Sequence, residues 1–428
     1  MALPIFATTL RSRLPFYYGW VVLACVCCAG FARQGPAVAT LSIFVAPLSH
    51  EFGWSRTAIS GAASLGGLLA AVAAPWIGPL LDRRGARLVL CAAVLVNGVV
   101  LAALSLTSSL TMFYLLFCII RLNWAAPFEL GLYGAISNWF VARRTFAASI
   151  AALSQAVGLA AMPLVAQGAI LHQGWRAGWL ALGAVTLTVG LVPAWLLLVR
   201  RPEDLGLVPD GPTPPVTRSA RRRIAAAEPA FSRRQALRTP AFWLLLLYTM
   251  LVYPVQAGVS LHQAPFLIER GIDATIAATI VSAFSGASAL ASLVCATLPR
   301  AIPVRYPLAA AGALLATGPL IMLQVHGPAT GYAGAAVFGF GLGGMMTLVP
   351  IAWADYFGRA HFGAIRGIAL PAQVLAQAAG PLISGALRDL TGDYRLSLMV
   401  FAVVAALSIV TALLARQPAI GPDAVQLA

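Results

Sequence analysis

Residues 150–164 read IAALSQAVGLAAMPL, and residues 368–382 read IALPAQVLAQAAGPL. Laid over each other with a shift of 218 positions, Ile150, Gln155, Ala160, Ala161, Pro163 and Leu164 fall on Ile368, Gln373, Ala378, Ala379, Pro381 and Leu382. Just before them, Trp139-Phe140 with Arg143-Arg144 faces Tyr356-Phe357 with Arg359, one residue out of step. The chain therefore holds two copies of one element.

Each copy lies in an apolar run long enough to cross about 30 Å of hydrocarbon as a helix. Working outward, such runs lie near 17–44, 57–81, 88–107, 110–137, 146–170 and 176–199, and again near 241–267, 274–298, 305–325, 330–354, 364–387 and 396–415. Six spans separate the copies, so both run the same way across the membrane, as a parallel repeat of two halves. The predicted fold is an all-α membrane protein of twelve transmembrane helices in two parallel-repeat six-helix bundles. Residues 1–200 form the N-terminal bundle, 201–240 a cytoplasmic inter-half linker and 241–428 the C-terminal bundle.

Composition agrees. With 60% hydrophobic and 10% charged residues and a mean hydropathy of +0.86, a soluble version would lack a polar surface. All 28 basic residues are arginine and the net charge is +15, which suggests nucleic acid at first sight. Their positions exclude that partner, because they cluster between the apolar runs. The N-terminus and even-numbered connections carry Arg11, Arg13, Arg83, Arg84, Arg87, Arg143, Arg144, Arg300, Arg305, Arg359 and Arg366, and the central loop a further nine from Arg200 to Arg238. The opposite side has only Arg56, Arg176, Arg270, Arg388 and Arg395, so both termini and the central loop are expected in the cytoplasm. The first span is too long for a signal-peptide core and reads as an uncleaved anchor in the plasma (inner) membrane.

The stretch from Arg201 to Thr239, with five prolines between Pro202 and Pro215, has no apolar period and reads as the linker. Its basic run suits anionic lipid headgroups; a solvated loop that enforces topology is the plainer reading. All six cysteines fall in apolar spans without ligand-spaced partners, so they read as small core residues and no metal is expected. There is no nucleophile-base pair and no phosphate loop, so neither an enzyme nor a cofactor is expected.

The run Gly78-Pro-Leu-Leu-Asp82-Arg83-Arg84-Gly85-Ala86-Arg87, between spans 2 and 3, resembles the G-x-x-x-D-R-x-G-R-[RK] signature of the major facilitator superfamily, in the right loop. Within that superfamily, Tyr18-Gly19-Trp20, Phe52-Gly53-Trp54-Ser55-Arg56, Trp139-Phe140 with Arg143-Arg144, Arg201-Pro-Glu-Asp-Leu-Gly206 and Tyr356-Phe357-Gly358-Arg359 are similar to the bacterial monocarboxylate-porter and oxalate:formate-antiporter-like branch. The resemblance implies the major facilitator fold, a cavity lined by helices 1, 4, 7 and 10, and a carboxylate substrate. In the signature, Gly78 permits close helix approach, Asp82 can pair with an arginine across the bundle interface and Gly85 turns the chain. With Arg83, Arg87, Arg143, Arg144 and Arg359 these residues form a candidate conformational latch, the alternative being a plain loop salt bridge.

Arg33, Arg121 and Glu129 are the ionisable residues deep within spans. Each costs about 2.5 to 3.5 kcal/mol on insertion scales and so calls for a function. Arg33 and Arg121 fall near the membrane midplane, and a guanidinium fork suits a carboxylate there. Glu129, eight residues after Arg121, is expected on the same helix face, giving a site of net charge +1, or +2 when Glu129 is protonated. A proton on Glu129 would free an arginine for the anion; a purely structural ion pair is the equal alternative. His262, before Pro265, is a candidate proton relay or an interfacial hydrogen-bonding group. Gln155, Gln373, Tyr253, Gln256 and Gln377 either line the cavity or join neighbouring helices.

The sequence departs from characterised members of the branch. Span 8 has no charge, Ala37 rather than Lys follows Pro36, and span 11 has only Arg366 and Arg388, at its ends. The cation of a carboxylate site is thereby expected in the N-terminal half. The reading is a secondary active transporter of a small organic anion, acting as a monomer, with protons as a candidate coupling ion. Efflux of an amphipathic compound and a non-transporting membrane sensor are the alternatives.

Overall fold

A computed structural model describes residues 5–54, 56–211, 229–299 and 301–418. Among them all regular structure is helical. Eleven helices are long and apolar enough to cross a membrane, and Gly19–Ala32 is a shorter apolar helix beside them. Their outward faces carry large apolar side chains, Trp76 at 71% exposure and Leu390 at 82% among them, as lipid-facing surfaces do.

The first span is not one helix, as the sequence reading had it. Helix α1 (Gly19–Ala32) ends in turns over 33–36, and α2 (Val38–Phe52) begins after Ala37 in extended conformation. Pro36 has no N–H to continue the ladder and disfavours helix at Gly35 before it. Helices α3 (Arg56–Arg84) and α4 (Ala86–Leu104) form spans 2 and 3. The fourth span is broken too: α5 (Leu110–Ala125), N-capped by Ser109, stops at Ala126, and α6 (Pro127–Trp139) starts on a proline at its first position. Span 5 is α7 (Arg144–Gln173), and span 6 is α8 (Trp175–Val185), which continues through a π-helical stretch, Thr186–Leu191, into Val192–Leu197.

The second set is α9 (Pro240–Glu269), α10 (Ala274–Ala296), α11 (Arg305–Leu323), α12 (Pro328–Phe357), α13 (Phe362–Thr391) and α14 (Arg395–Leu414). By contact the chain forms two compact units. Unit 1 holds the N-terminal part through Ala230 together with Arg359–Pro371; unit 2 holds Phe231–Gly358 and the chain from Ala372 onward. Helix α13 is thus divided, its first turns belonging to unit 1.

Unit 1 has an aromatic core at one end, where Phe44 stacks on Trp179 at 3.7 Å with Phe113 and Phe117 close by. In unit 2, α12 packs on α10 and α11, and the buried Tyr248 hydroxyl donates to the Leu308 carbonyl at 2.9 Å. Arg201–Gly211, read from sequence as solvated linker, is docked within unit 1. The Asp210 carboxylate accepts from the amides of Val141, Ala142 and Arg143 at 3.0, 2.5 and 2.9 Å. Burial, and then the Asp210 charge, push the neighbouring Tyr17 phenol up, and Tyr17 donates to the Trp139 carbonyl. An acidic residue here closes exposed amides ahead of α7, which a composition-based reading of prolines and charge cannot foresee. The basic residues Arg218, Arg221, Arg222 and Arg223 lie outside the described residues, as does Arg300.

Candidate functional site

The break in span 1 places Arg33 at the C-terminal end of α1 rather than on a continuous helix. Its guanidinium is buried and partnered through two of its nitrogens. Nε donates to the Trp124 carbonyl at 3.0 Å, and Nη1 to Glu129 Oε2 and Gln155 Oε1, both at 2.8 Å. Trp124 lies in the last turn of α5, where carbonyls lack helical partners. Gln155 comes within reach because α7 closes on α1 at Gly158, where an added Cβ would stand 2.6 Å from the Phe31 carbonyl oxygen.

The break in span 4 revises the geometry expected for Glu129. It does not share an unbroken helix with Arg121; it sits in the first turn of α6, where its charge is favoured by the helix N-terminus. Its carboxylate faces Arg33 on one oxygen and Arg366 Nη2 at 3.8 Å on the other. Arg121 projects from α5 and stacks on Trp124 at 4.5 Å, and Arg33 lies over the same indole at 4.3 Å. Beyond that, Arg121 has one long contact, Nη1 to the Pro36 carbonyl at 3.4 Å, and its buried Nε has no hydrogen-bond partner. Among the described residues no carboxylate is paired with it.

Four of the sequence candidates, Arg33, Arg121, Glu129 and Gln155, thus meet in unit 1. Two partners were missed. Trp124 is three residues after Arg121, on the same helix face, but in an apolar helix nothing distinguishes a working aromatic from a packing one. Arg366 was counted as a loop arginine because it opens its span; its side chain is 1% exposed. With it the cluster has three guanidinium groups and one carboxylate, so its formal excess is one charge more positive than the sequence reading.

The remaining candidates lie in unit 2. Gln377 Nε2 donates to Gln256 Oε1 at 3.2 Å, and Tyr253 and Gln373 are buried. His262 donates through Nδ1 to the Gly258 carbonyl at 3.1 Å, and its ring packs 5.2 Å from Tyr394. A small cavity beside it is lined by Ser384, Ser397 and Tyr394.

For the latch candidates the structure gives a different partner from the one expected. Asp82 accepts from the backbone amides of Gly363 and Ala364 at 2.8 and 2.7 Å; among the described residues no arginine forms a salt bridge with it. The start of α13 offers free amides, and a carboxylate satisfies them as it does at any helix N-terminus. Gly78 allows the approach, since a Cβ there would fall 2.0 Å from the Gly363 carbonyl oxygen, and Gly85 turns the chain at φ +85°. Arg359 donates to the Asn138 carbonyl at 3.0 Å and pairs with Glu203 at 2.5 Å. Arg144 is buried on the Phe140 and Ser137 carbonyls, at 3.2 and 3.3 Å, and Arg87 reaches the Trp195 carbonyl at 3.0 Å. Arg143 and Arg83 are exposed, Arg143 lying over Trp20 at 5.6 Å. Burial, with Arg200 and Arg359 nearby, lowers the pKa of the neighbouring Arg201.

Residues 22–323 match the Major Facilitator Superfamily. Human monocarboxylate transporter 11 is 30% identical over 401 residues, covering 89% of this chain and 79% of its own. The membrane sensor protein UhpC of Salmonella typhimurium is 33% identical over 144 residues, 32% of each chain. Among solved structures, a proton:xylose symporter bound to 6-bromo-6-deoxy-D-glucose superposes with a TM-score of 0.71 at 15% identity, covering 92% of this chain and 94% of that one.

Proposed function

The chain belongs to the major facilitator superfamily, whose members are multi-pass membrane transporters of small molecules and not enzymes, and from that premise we propose that it carries a small organic anion, first of all a monocarboxylate, by alternating access. The observation that carries the reading is the contrast between two arginines on one indole. Arg33 is committed to Glu129, whereas Arg121 has a buried Nε without a partner and, among the described residues, no carboxylate of its own. A desolvated guanidinium is costly to leave unpaired, and a substrate carboxylate in bidentate contact satisfies it. The resemblance to human monocarboxylate transporter 11 supports the same substrate class.

In this mechanism Arg121, steadied on Trp124, is the anion anchor. Arg33 and Glu129 form the coupling pair: when Glu129 takes a proton, Arg33 loses its counter-ion and turns to the anion, so proton and anion enter together. Gln155 keeps its hold on Arg33 throughout. Tyr253, Gln256, Gln373 and Gln377 are assigned polar contacts to the rest of the substrate, and His262 a relay role. Gly78, Asp82, Arg83, Gly85, Arg87, Arg143, Arg144 and Arg359 are assigned to the cytoplasmic latch. Both termini are assigned to the cytoplasmic side of the inner membrane, a reading the arginine bias supports, and the monomer is assigned as the working unit.

The test is uptake of a labelled monocarboxylate panel into proteoliposomes with and without an inward proton gradient. Arg121→Gln is expected to lower gradient-driven uptake about a hundredfold, equivalent to roughly 2.7 kcal/mol, with Arg121→Lys recovering only part. Folded protein that takes up no carboxylate would sink the proposal and favour the amphipathic-efflux reading or, given the similarity to UhpC over 144 residues, a sensor.

A further inference from the structure

Glu129 is held from two sides by arginines with different attachments. Arg33 ends α1 and belongs to the anion cluster; Arg366 lies in the second turn of α13, on the segment Arg359–Pro371 that counts with unit 1 while the rest of α13 counts with unit 2. Glu129 Oε2 is 2.8 Å from Arg33 Nη1 and Oε1 3.8 Å from Arg366 Nη2. Several other grips on this segment lie away from the cluster. Asp82 holds the amides of Gly363 and Ala364, Arg359 reaches Asn138 and Glu203, and Gly367 packs so tightly on α3 that a Cβ would stand 2.7 Å from the Ala74 carbonyl oxygen.

We propose that Glu129 is a shared counter-ion through which the anion site controls how firmly unit 1 holds the head of α13, with Arg366 as the positioning residue. The charged groups facing Glu129 are Arg33 from the end of α1 and Arg366 from α13, with Arg121 of α5 on the far side of the Trp124 contact. While the site is empty, the ionised carboxylate is divided between Arg33 and Arg366. An anion held at Arg121 that draws on Arg33 while Glu129 is still ionised shifts the carboxylate toward Arg366 and tightens the hold until the proton arrives. A proton on Glu129 discharges both pairs and loosens it. Anion and proton therefore act on α13 with opposite signs, and no covalent step is involved. The inference rests on the anion-carrier reading for what fills the site, but the hold on α13 can be measured without any substrate.

Hydrogen exchange of the full-length protein, corrected for the intrinsic rate at each pH, reads residues 362–371 against residues 146–170 of α7 as an internal standard. Without added anion, Glu129→Gln and Arg366→Gln are each expected to lower protection of 362–371 roughly tenfold while α7 is unchanged. Arg366→Lys restores most of it. Protection of the wild-type segment falls as the pH is lowered and is flat in Glu129→Gln. Pyruvate, as the carboxylate probe, raises protection in wild type and has no effect on the segment in Arg366→Gln, which leaves Arg33 and Arg121 in place. Equal protection in wild type and Glu129→Gln, or a loss shared equally by α7, overturns the proposal. If the substrate-free pattern holds but no carboxylate changes it, the shared counter-ion stands and the carrier reading falls.

Discussion

Helices α7 and α13 are the two copies met first in the sequence, and both are 30 residues long. They have been put to different uses. Helix α7 lies wholly in unit 1, whereas α13 changes unit after Pro371. At equivalent positions α7 has Thr145, Ala148, Ser149 and Leu153 where α13 has Gly363, Arg366, Gly367 and Pro371. Two of the changes remove side chains at close backbone approaches, one supplies a cation for Glu129, and one puts a proline where the contact pattern changes. The comparison teaches that one repeated helix can carry different contacts: these four differences lie within three turns, in the part of α13 that counts with unit 1.

The comparison breaks most readily at the close approach. Gly363→Leu forces a side chain into a space where even a Cβ lies 2.3 Å from the Gly78 carbonyl oxygen, so a loss of about 3 kcal/mol or more is expected. Thr145→Leu in α7 should change little; thermal unfolding in detergent compares the two, and equal melting points would remove the distinction. Next in size is Gln155→Leu. It takes an acceptor from the buried Arg33 at a cost of about 1 to 3 kcal/mol, seen as a weaker carboxylate response in substrate-protected thermal shifts. Smallest is Pro371→Leu, which gives α13 the residue of α7. It restores a helical hydrogen-bond donor and is expected to raise stability by roughly 1 kcal/mol while slowing turnover. Faster turnover with unchanged stability would argue against a functional role for the proline there.

Much of this was legible in the sequence because lipid imposes simple rules. A span must be about twenty apolar residues long, so the spans and the repeat could be read directly, and Arg33, Arg121 and Glu129 stood out as charges where charge is costly. The breaks at 33–36 and at Ala126 were hidden because Gly35-Pro36 and Ala126-Pro127 lie inside apolar runs long enough to be single spans, with no loop-length polar stretch to mark an end. Helix geometry extrapolated across a break misplaces every residue beyond it, which is why Glu129 was set on one face with Arg121. Arg366 was hidden by the same arithmetic that gave the expected orientation, since counting charges by loop does not distinguish an arginine at a span's edge in water from one a turn inside protein. The partner of Asp82 escaped for another reason: a backbone amide leaves no letter in the sequence.

The docking of Asp210 bears on how the protein could be made in two pieces. With its carboxylate on the amides of Val141, Ala142 and Arg143, the segment through Gly211 is a terminal brace for the first polypeptide, not slack to be trimmed. A split gene should therefore place its seam after residue 211 rather than where the apolar spans stop at 199, so that the N-terminal fragment leaves the ribosome with its own clasp.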